Sequence, residues 1–287
     1  MGVLPMLLCL LSSALALPID HDILNVGPSE LIFGGKPVKQ GDLPMQALTA
    51  FIDSRGKPNT CGGTLISKNH VLTAAHCAVH MKDKVMIMVG SIHIQNVTNA
   101  QWRKVTKINI HQQYSNDRKY LNDIAILEFS PAVSLNRNVK LANIYKNDEE
   151  YVKERRAVIA GFGTYKFVKD KNGTTKTEHS RNLLAIDVTL FPFEFCSKAW
   201  SFATTKLRKS EQLCAGAKNK GVGPGDSGGP LYIVRPGRLV QIGITSFGIP
   251  NDRAMEHDQD KIPSVFTRIS HYCKYIDETT KGAAKCK

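Results

Sequence analysis

The sequence has no long apolar run after residue 17, and this absence argues against a membrane-spanning helix in the rest of the chain. Such a helix needs about 20 apolar residues in a row, and no later segment approaches about 18. A basic stretch interleaved with aromatic residues is also missing, so we expect no nucleic acid partner. Lys and Arg are absent from residues 1–31, which contain three acidic residues.

The start of the chain is nevertheless apolar over residues 3–17, and Ala-Leu-Ala at 14–16 has the small-x-small pattern of a signal-peptide cleavage site. This segment is too short to span a membrane. We therefore expect a signal peptide at 1–16 and a secreted, extracellular protein. Residues 17–31 are acidic, contain two prolines and show no clear periodicity. We interpret them as a propeptide.

The formal net charge is +13, and removal of the three acidic residues in 1–31 would raise it to +16. Such a charge favours polyanions, such as glycosaminoglycan, anionic membrane surfaces or acidic proteins. A solvated basic surface that keeps the protein soluble is the plainer interpretation.

One of the seven cysteines, Cys9, lies in the predicted signal peptide. An even number remains, which in an oxidising compartment predicts three disulfides: Cys61, Cys77, Cys196, Cys214, Cys273 and Cys286. The Asn-x-Thr triplets at Asn96 and Asn172 predict glycosylation sites.

Short segments of β type alternate with turns along the chain, which predicts an all-β protein built as barrels or a sandwich. These segments are 45–52, 63–67, 84–90, 102–111, 124–129, 156–161, 183–190, 230–234, 239–247 and 264–269. The polar, Lys-rich segment 166–181 is expected to be a long exposed loop. Apolar residues at i, i+3, i+4 and i+7 predict a helix over 269–279 near the C-terminus.

Three segments contain candidate catalytic side chains. Ser227 lies in Gly-Asp-Ser-Gly-Gly-Pro at 225–230, His76 in Leu-Thr-Ala-Ala-His-Cys at 72–77, and Asp123 at the head of an apolar strand. A serine nucleophile needs a histidine base and an acid that orients it. Each segment alone is a weak signal, but the three together in the order His, Asp, Ser are specific.

These segments resemble the chymotrypsin family of trypsin-like serine proteases from residue 32 to about 276. Further matches are Ile-Phe-Gly-Gly at 32–35, Gly-Phe-Gly at 161–163, Cys-Ala-Gly at 214–216 and Ser-Phe-Gly at 246–248. The resemblance implies a protease domain over 32–287, with two packed six-stranded antiparallel Greek-key barrels and a C-terminal helix. It implies peptide or protein substrates, protease inhibitors as partners and a monomer. We expect no cofactor, and no calcium site, because 91–101 lacks an acidic pair.

The resemblance also implies site roles. His76 would act as general base, Asp123 would orient it, and the N–H groups of Gly225 and Ser227 would form the oxyanion hole. After cleavage of the bond between Leu31 and Ile32, the new ammonium group would pair with Asp226. Most relatives have Arg or Lys before this bond. Leu31 instead suggests activation by a chymotrypsin-like cut or by the enzyme itself.

The specificity pocket would be formed by six residues: Gly221, Val222, Ser246, Phe247, Gly248 and Ser264. Trypsins have an aspartate where this chain has Gly221, so we expect a neutral, mostly apolar slot that takes Phe, Tyr, Leu or Met. Ser264 replaces a usual glycine and would narrow the floor.

The resemblance implies disulfides Cys61–Cys77 and Cys196–Cys214, and we expect Cys273 and Cys286, which remain, to form the third. Two bridges common in the family are missing, since Ala157 and Gly223 stand where cysteines are usual. The pocket walls are therefore expected to lack a disulfide brace.

Two other functions stay open at this point. The chain could be a catalytically silent binding or signalling protein on a protease fold, which the missing pocket bridge and Leu31 would suit. It could also be a basic matrix-binding protein whose main function is its charge. Labelling by a fluorophosphonate distinguishes an activated serine from both.

Overall fold

The computed structural model describes residues 32–95, 98, 100–115, 120–202 and 206–287. The predicted signal peptide at 1–16, the predicted propeptide at 17–31 and the predicted glycosylation site Asn96 lie outside these residues. Across the described residues, helices are too short or too polar to cross a membrane.

The first half of the described chain forms a closed antiparallel barrel. Its strands are β2 (Gln46–Ile52), β3 (Pro58–Ser67), β4 (His70–Thr73), β5 (Asp83–Val89), β6 (Gln101–Ile110) and β7 (Ala125–Phe129), which follow a short β1 (Lys36–Pro37). The strand order is β2-β3-β4-β7-β6-β5, and β5 pairs back with β2. The interior holds branched and aromatic side chains such as Leu65, Ile87 and Phe129.

The second half forms a second ring of six strands. This half contains eight strands, of which β9 and β10 pair only with each other. They are β8 (Arg156–Gly161), β9 (Thr164–Lys169), β10 (Thr175–His179), β11 (Leu184–Phe191), β12 (Gln212–Gly216), β13 (Pro230–Arg235), β14 (Arg238–Phe247) and β15 (Ser264–Arg268). The ring runs β8-β11-β12-β15-β14-β13, and β13 pairs with β8, while β1 adds to β11. The two barrels confirm the predicted fold class.

Helices are short: α1 (Ala75–Ala78), α2 (Glu149–Val152), α3 (Phe193–Ala199), α4 (Asp252–His257) and α5 (Cys273–Thr279). The helix predicted over 269–279 is present, but its first turn, Ile269–Tyr272, is a 3₁₀ helix. Ile269, Tyr272 and Ile276 are buried and pack with the core of the first barrel, as their spacing indicates.

Residues 166–181, predicted as a loop, instead contribute most of a hairpin formed by β9 and β10. The turn is stabilised by Asp170, whose carboxylate accepts the N–H groups of Asn172 and Thr174. Gly173 takes the left-handed conformation that this turn requires, with φ of 78°. The prediction was wrong because it gave weight to polarity over turn chemistry and β-branched residues, yet the hairpin tip is exposed as expected.

The two barrels meet in a shared apolar cluster, which includes Met45, Leu48 and Met88 from the first and Ala160 and Tyr232 from the second. Three disulfides add covalent links: Cys61–Cys77, Cys196–Cys214 and Cys273–Cys286. The third joins α5 to the C-terminal tail.

Candidate active site

His76 and Asp123 lie together because two paired strands end beside them. His76 follows β4 in α1, Asp123 precedes β7, and the pairing of Thr73 with Ala125 brings the strand ends side by side. One oxygen of the Asp123 carboxylate accepts the backbone N–H of His76, and the other lies 2.8 Å from its Nδ1. Because an ionised carboxylate can only accept, Nδ1 carries a proton, so that in the neutral imidazole the lone pair is on Nε2.

Asp123 is fully buried and is held by the second barrel as well as the first. The Ser246 hydroxyl donates to the Asp123 carboxylate over 2.5 Å, and Thr267 Oγ1 donates to the Asp123 carbonyl. A buried carboxylate is costly unless hydrogen-bonded, so these contacts compensate its burial. They fix the imidazole and its partner at the junction of the two barrels.

Ser227 lies in the loop between β12 and β13 and is partly exposed. Its carbonyl accepts the N–H of Gly62, next to the disulfide cysteine Cys61. The following residue, Gly228, packs so closely that an added Cβ would lie 3.0 Å from the Ala74 nitrogen. The serine loop therefore sits against the segment that leads into His76.

Gly225 adopts a φ of 95°, which is favourable only for glycine. Within the part of the chain that the structure describes, no backbone carbonyl accepts the N–H of Gly225 or Ser227, whereas the N–H groups of Asp226, Gly228 and Gly229 are all bonded. Two donors two residues apart are thus left available for a ligand oxygen.

Asp226 is fully buried, and its carboxylate accepts the N–H groups of Gly163 and Gly223. Burial raises the pKa of Asp226 to about 7, although these two hydrogen bonds act in the opposite direction. Ile32 is also fully buried, in the core of the second barrel with Val222. Within the described residues the carboxyl group has no counter-charge, and its partner Gly223 lies against Phe33, since a Cβ added at Gly223 would lie 2.9 Å from the Phe33 ring.

The structure brings the predicted pocket residues together, except that the side chain of Ser246 points elsewhere. Gly248 faces Ser264, since a Cβ added at Gly248 would lie 3.1 Å from the Ser264 hydroxyl. Gly221 and Val222 precede the serine loop and are buried. Ser246, in contrast, turns its hydroxyl towards Asp123.

Phe247 belongs to an aromatic row that the sequence did not indicate. Its ring stacks on Tyr120 at 5.2 Å and meets Trp200 edge-on at 5.1 Å. Tyr120 in turn lies edge-on to His76, at 6.0 Å. The row thus places one aromatic ring, that of Tyr120, beside the imidazole, and no motif marks Tyr120 or Trp200.

Sequence reasoning also missed Gln259, whose carboxamide fills the space beside Gly221. It is almost fully buried, at 1% exposure. The residue lies in a polar turn after α4 that matches no motif. The absence of a side chain at Gly221 was the available signal, since a buried gap must be filled by something.

The family model described as Trypsin matches residues 32–276. Chymotrypsin-like elastase family member 1 of Rattus norvegicus is 30% identical over 249 residues, which cover 86% of this chain and 88% of that protein. Chymase of Cavia porcellus is 30% identical over 279 residues, covering 96% and 100%. The clotting factor G beta subunit of Tachypleus tridentatus is 31% identical over 239 residues, covering 77% and 71%. The chain belongs to the trypsin family of serine proteases.

Proposed function

We propose that this protein is a secreted serine endopeptidase, made as an inactive precursor, that cleaves after uncharged side chains through an acyl-enzyme. The family establishes the protease fold and protein or peptide substrates. The observation that carries the proposal is the arrangement of His76, whose ring and backbone N–H groups are both held by the buried Asp123. It supports Nε2 as the base, because the loop that carries Ser227 packs against the segment that leads into His76.

In the proposed mechanism, Nε2 of His76 takes the proton of the Ser227 hydroxyl as its oxygen attacks the peptide carbonyl. The developing oxyanion accepts hydrogen bonds from the free N–H groups of Gly225 and Ser227. The imidazolium then gives its proton to the leaving amine, and water repeats the sequence to release the acid. Asp123 stabilises the imidazolium throughout and keeps its own charge.

Activation would follow cleavage before Ile32. The new ammonium group would enter the buried site of Asp226, where it would remove the cost of an unpaired carboxylate. Pairing would hold the loop that carries Gly225 and Ser227. The burial of both Ile32 and Asp226 supports this step.

Specificity for uncharged residues rests on Gly221, which provides no charge for Lys or Arg. The hairpin tip supports glycosylation at Asn172, which is exposed. The net charge of +13 supports binding to polyanions as a secondary property.

The test uses protein beginning at Ile32, treated with a fluorophosphonate probe and then with a peptide library. We expect labelling and hydrolysis, both absent in Ser227→Ala and retained in the control Ser210→Ala, which changes an exposed serine. A folded, correctly cleaved protein that resists the probe would instead be the catalytically silent binding protein.

A further inference from the structure

We propose that Gln259 and Ser264 close the deep end of the specificity pocket, so that the enzyme cleaves after aliphatic side chains and Met and excludes aromatic ones. This inference rests on the proposed function, since it concerns the substrate that the same site accepts. It narrows the expected set of Phe, Tyr, Leu and Met to Leu and Met.

Gln259 occupies the place that a side chain at Gly221 would take. A Cβ added at Gly221 would lie 1.9 Å from Oε1, 2.0 Å from Cδ and 2.3 Å from Nε2 of Gln259. Atoms that close cannot coexist, so the carboxamide and a side chain at this position exclude each other. The space next to Gly221, where trypsins have an aspartate, is here filled by a side chain from a different segment.

The carboxamide is held firmly in place. Nε2 donates to the carbonyls of Val222 and Met255, at 2.8 and 2.7 Å, and Oε1 accepts from the Ser264 hydroxyl at 2.8 Å. Both N–H groups are used, so the amide cannot turn without leaving buried polar groups unpaired. Gln259 therefore acts as a fixed wall. A substrate that displaced the carboxamide would break these hydrogen bonds, and the space gained would not compensate for that cost.

The backbone of Gln259 is fixed as well. Asp258 forms a β-bridge with Lys218, and the N–H of Asn219 donates to the carbonyl of His257. The segment before Gln259 is thereby tied to the segment that leads to Gly221. The segment that carries Gln259 is therefore not free to move away when a larger substrate side chain enters the pocket.

A flat ring cannot lie between Gly248 and Ser264. The Ser264 hydroxyl lies 3.1 Å from a Cβ placed on Gly248, and thus about 4.6 Å at most from the Gly248 Cα when a bond of about 1.5 Å is added. A ring between two walls needs carbon contacts of about 3.5 Å on each face, or about 7 Å in all. An aliphatic side chain that ends before it reaches the gap between Gly248 and Ser264 avoids this constriction.

The test begins with wild-type protein cleaved before Ile32, whose active sites are counted with a fluorophosphonate. Peptides that differ only in the residue before the scissile bond then give kcat/KM. We expect Leu and Met to exceed Phe and Tyr by about 10-fold or more. Reactive enzyme that prefers Phe or Tyr overturns this inference and leaves the proposed function standing, whereas unreactive enzyme overturns both.

Two variants separate size from hydrogen bonding. Gln259→Ala with Ser264→Gly opens the floor and should raise kcat/KM for Phe relative to Leu by about 10- to 200-fold. Gln259→Met keeps the length and should leave Phe excluded.

Gln241→Ala, which removes another buried carboxamide, is the matched control and should not change the ranking. An unchanged ranking in the opened variant, or Phe cleavage by Gln259→Met, contradicts the inference; if the opened variant does not fold, the wild type and Gln259→Met decide.

Discussion

Gly221 stands where trypsins have an aspartate, and the carboxamide of Gln259 lies directly against it. We therefore expect Gln259 to control the effect of a substitution at Gly221 on specificity. In Gly221→Asp the new carboxylate must displace a hydrogen-bonded carboxamide, which we expect to cost about 1–3 kcal/mol of stability. It should not create cleavage after Lys or Arg. Combined with Gln259→Ala, the same carboxylate has room to face the substrate, and cleavage after Lys or Arg should appear.

A double-mutant cycle on kcat/KM for Lys and Leu peptides measures this dependence. The Gln259→Ala single variant is the control, since it has the space without the charge. Equal Lys activity in Gly221→Asp and in the double variant would show that the carboxamide does not block the position.

Asp226 gives a second prediction at the scale of one residue. Its folded-state pKa of about 7 lies above the ordinary value of 3.8, because burial disfavours the charge. Between these two values the folded chain holds a proton that the unfolded chain has released. In a Ser227→Ala chain left uncleaved before Ile32, stability should therefore fall as pH rises from about 4 to 7, with a slope of up to about 1.4 kcal/mol per pH unit.

Urea unfolding at several pH values tests this slope. Asp226→Asn in the same background should remove the Asp226 contribution, since an amide does not titrate. In chain cleaved before Ile32, the proposed pairing with the ammonium would lower the pKa of Asp226, and the slope should shrink likewise. A slope that is the same in all three proteins would argue against the buried, unpaired carboxyl.

Among the structural elements, β15 is anchored to the segment between the barrels by a buried ion pair. Arg268, at the end of β15, donates to both carboxylate oxygens of Asp148 and also to Glu149. Asp148 raises the pKa of the Arg268 guanidinium through a hydrogen bond and its charge. Removing one member of a buried pair leaves the other charge uncompensated.

Asp148→Ala should therefore destabilise the protein by about 3 kcal/mol, at the lower end of the usual range because Glu149 remains. Asp187→Ala is the matched control, since it removes the carboxylate of a largely exposed pair with Arg156 and should cost less than about 1 kcal/mol. Denaturant unfolding measures both. Equal losses in the two variants would mean that burial adds nothing to the Asp148 pair.

The elements also show what sequence alone can predict. The ten β segments correspond closely to strands because alternating apolar residues and turn signals are local features. The short strands His70–Thr73 and Gln212–Gly216 were not predicted, since four or five residues give little periodicity. The segments of His76, Asp123 and Ser227 could be selected because their motifs are contiguous.

Gln259 could not be selected in the same way, because its function depends on contacts made by folding. The sequence predicts pocket walls without a disulfide brace at Gly223. In the structure, the hydrogen bond from Gln259 to the Val222 carbonyl links the same wall to the segment after α4. A polar side chain thus provides a non-covalent cross-link where relatives commonly have a covalent one, and no cysteine pattern could reveal it.

At the scale of the whole molecule, the dominant feature is an excess of 38 Lys and Arg over 25 Asp and Glu. Charge of one sign attracts polyanions over distances of about a Debye length, which is about 8 Å at physiological salt. The β9–β10 hairpin contributes four exposed lysines at its edge: Lys166, Lys169, Lys171 and Lys176. We therefore predict that the protein binds heparin through screened electrostatic contacts, to which this hairpin contributes.

Retention on immobilised heparin along a salt gradient measures this binding. Ser227→Ala should elute at the wild-type salt concentration, because the charge does not depend on catalysis. Changing Lys166, Lys169 and Lys171 to Glu lowers the net charge by six and should move elution to clearly lower salt, while the same three changes to Arg keep the charge and should not. Retention that ignores salt, or that survives the Glu changes unaltered, would mean that the hairpin is only a solvated surface and that the basic excess serves solubility.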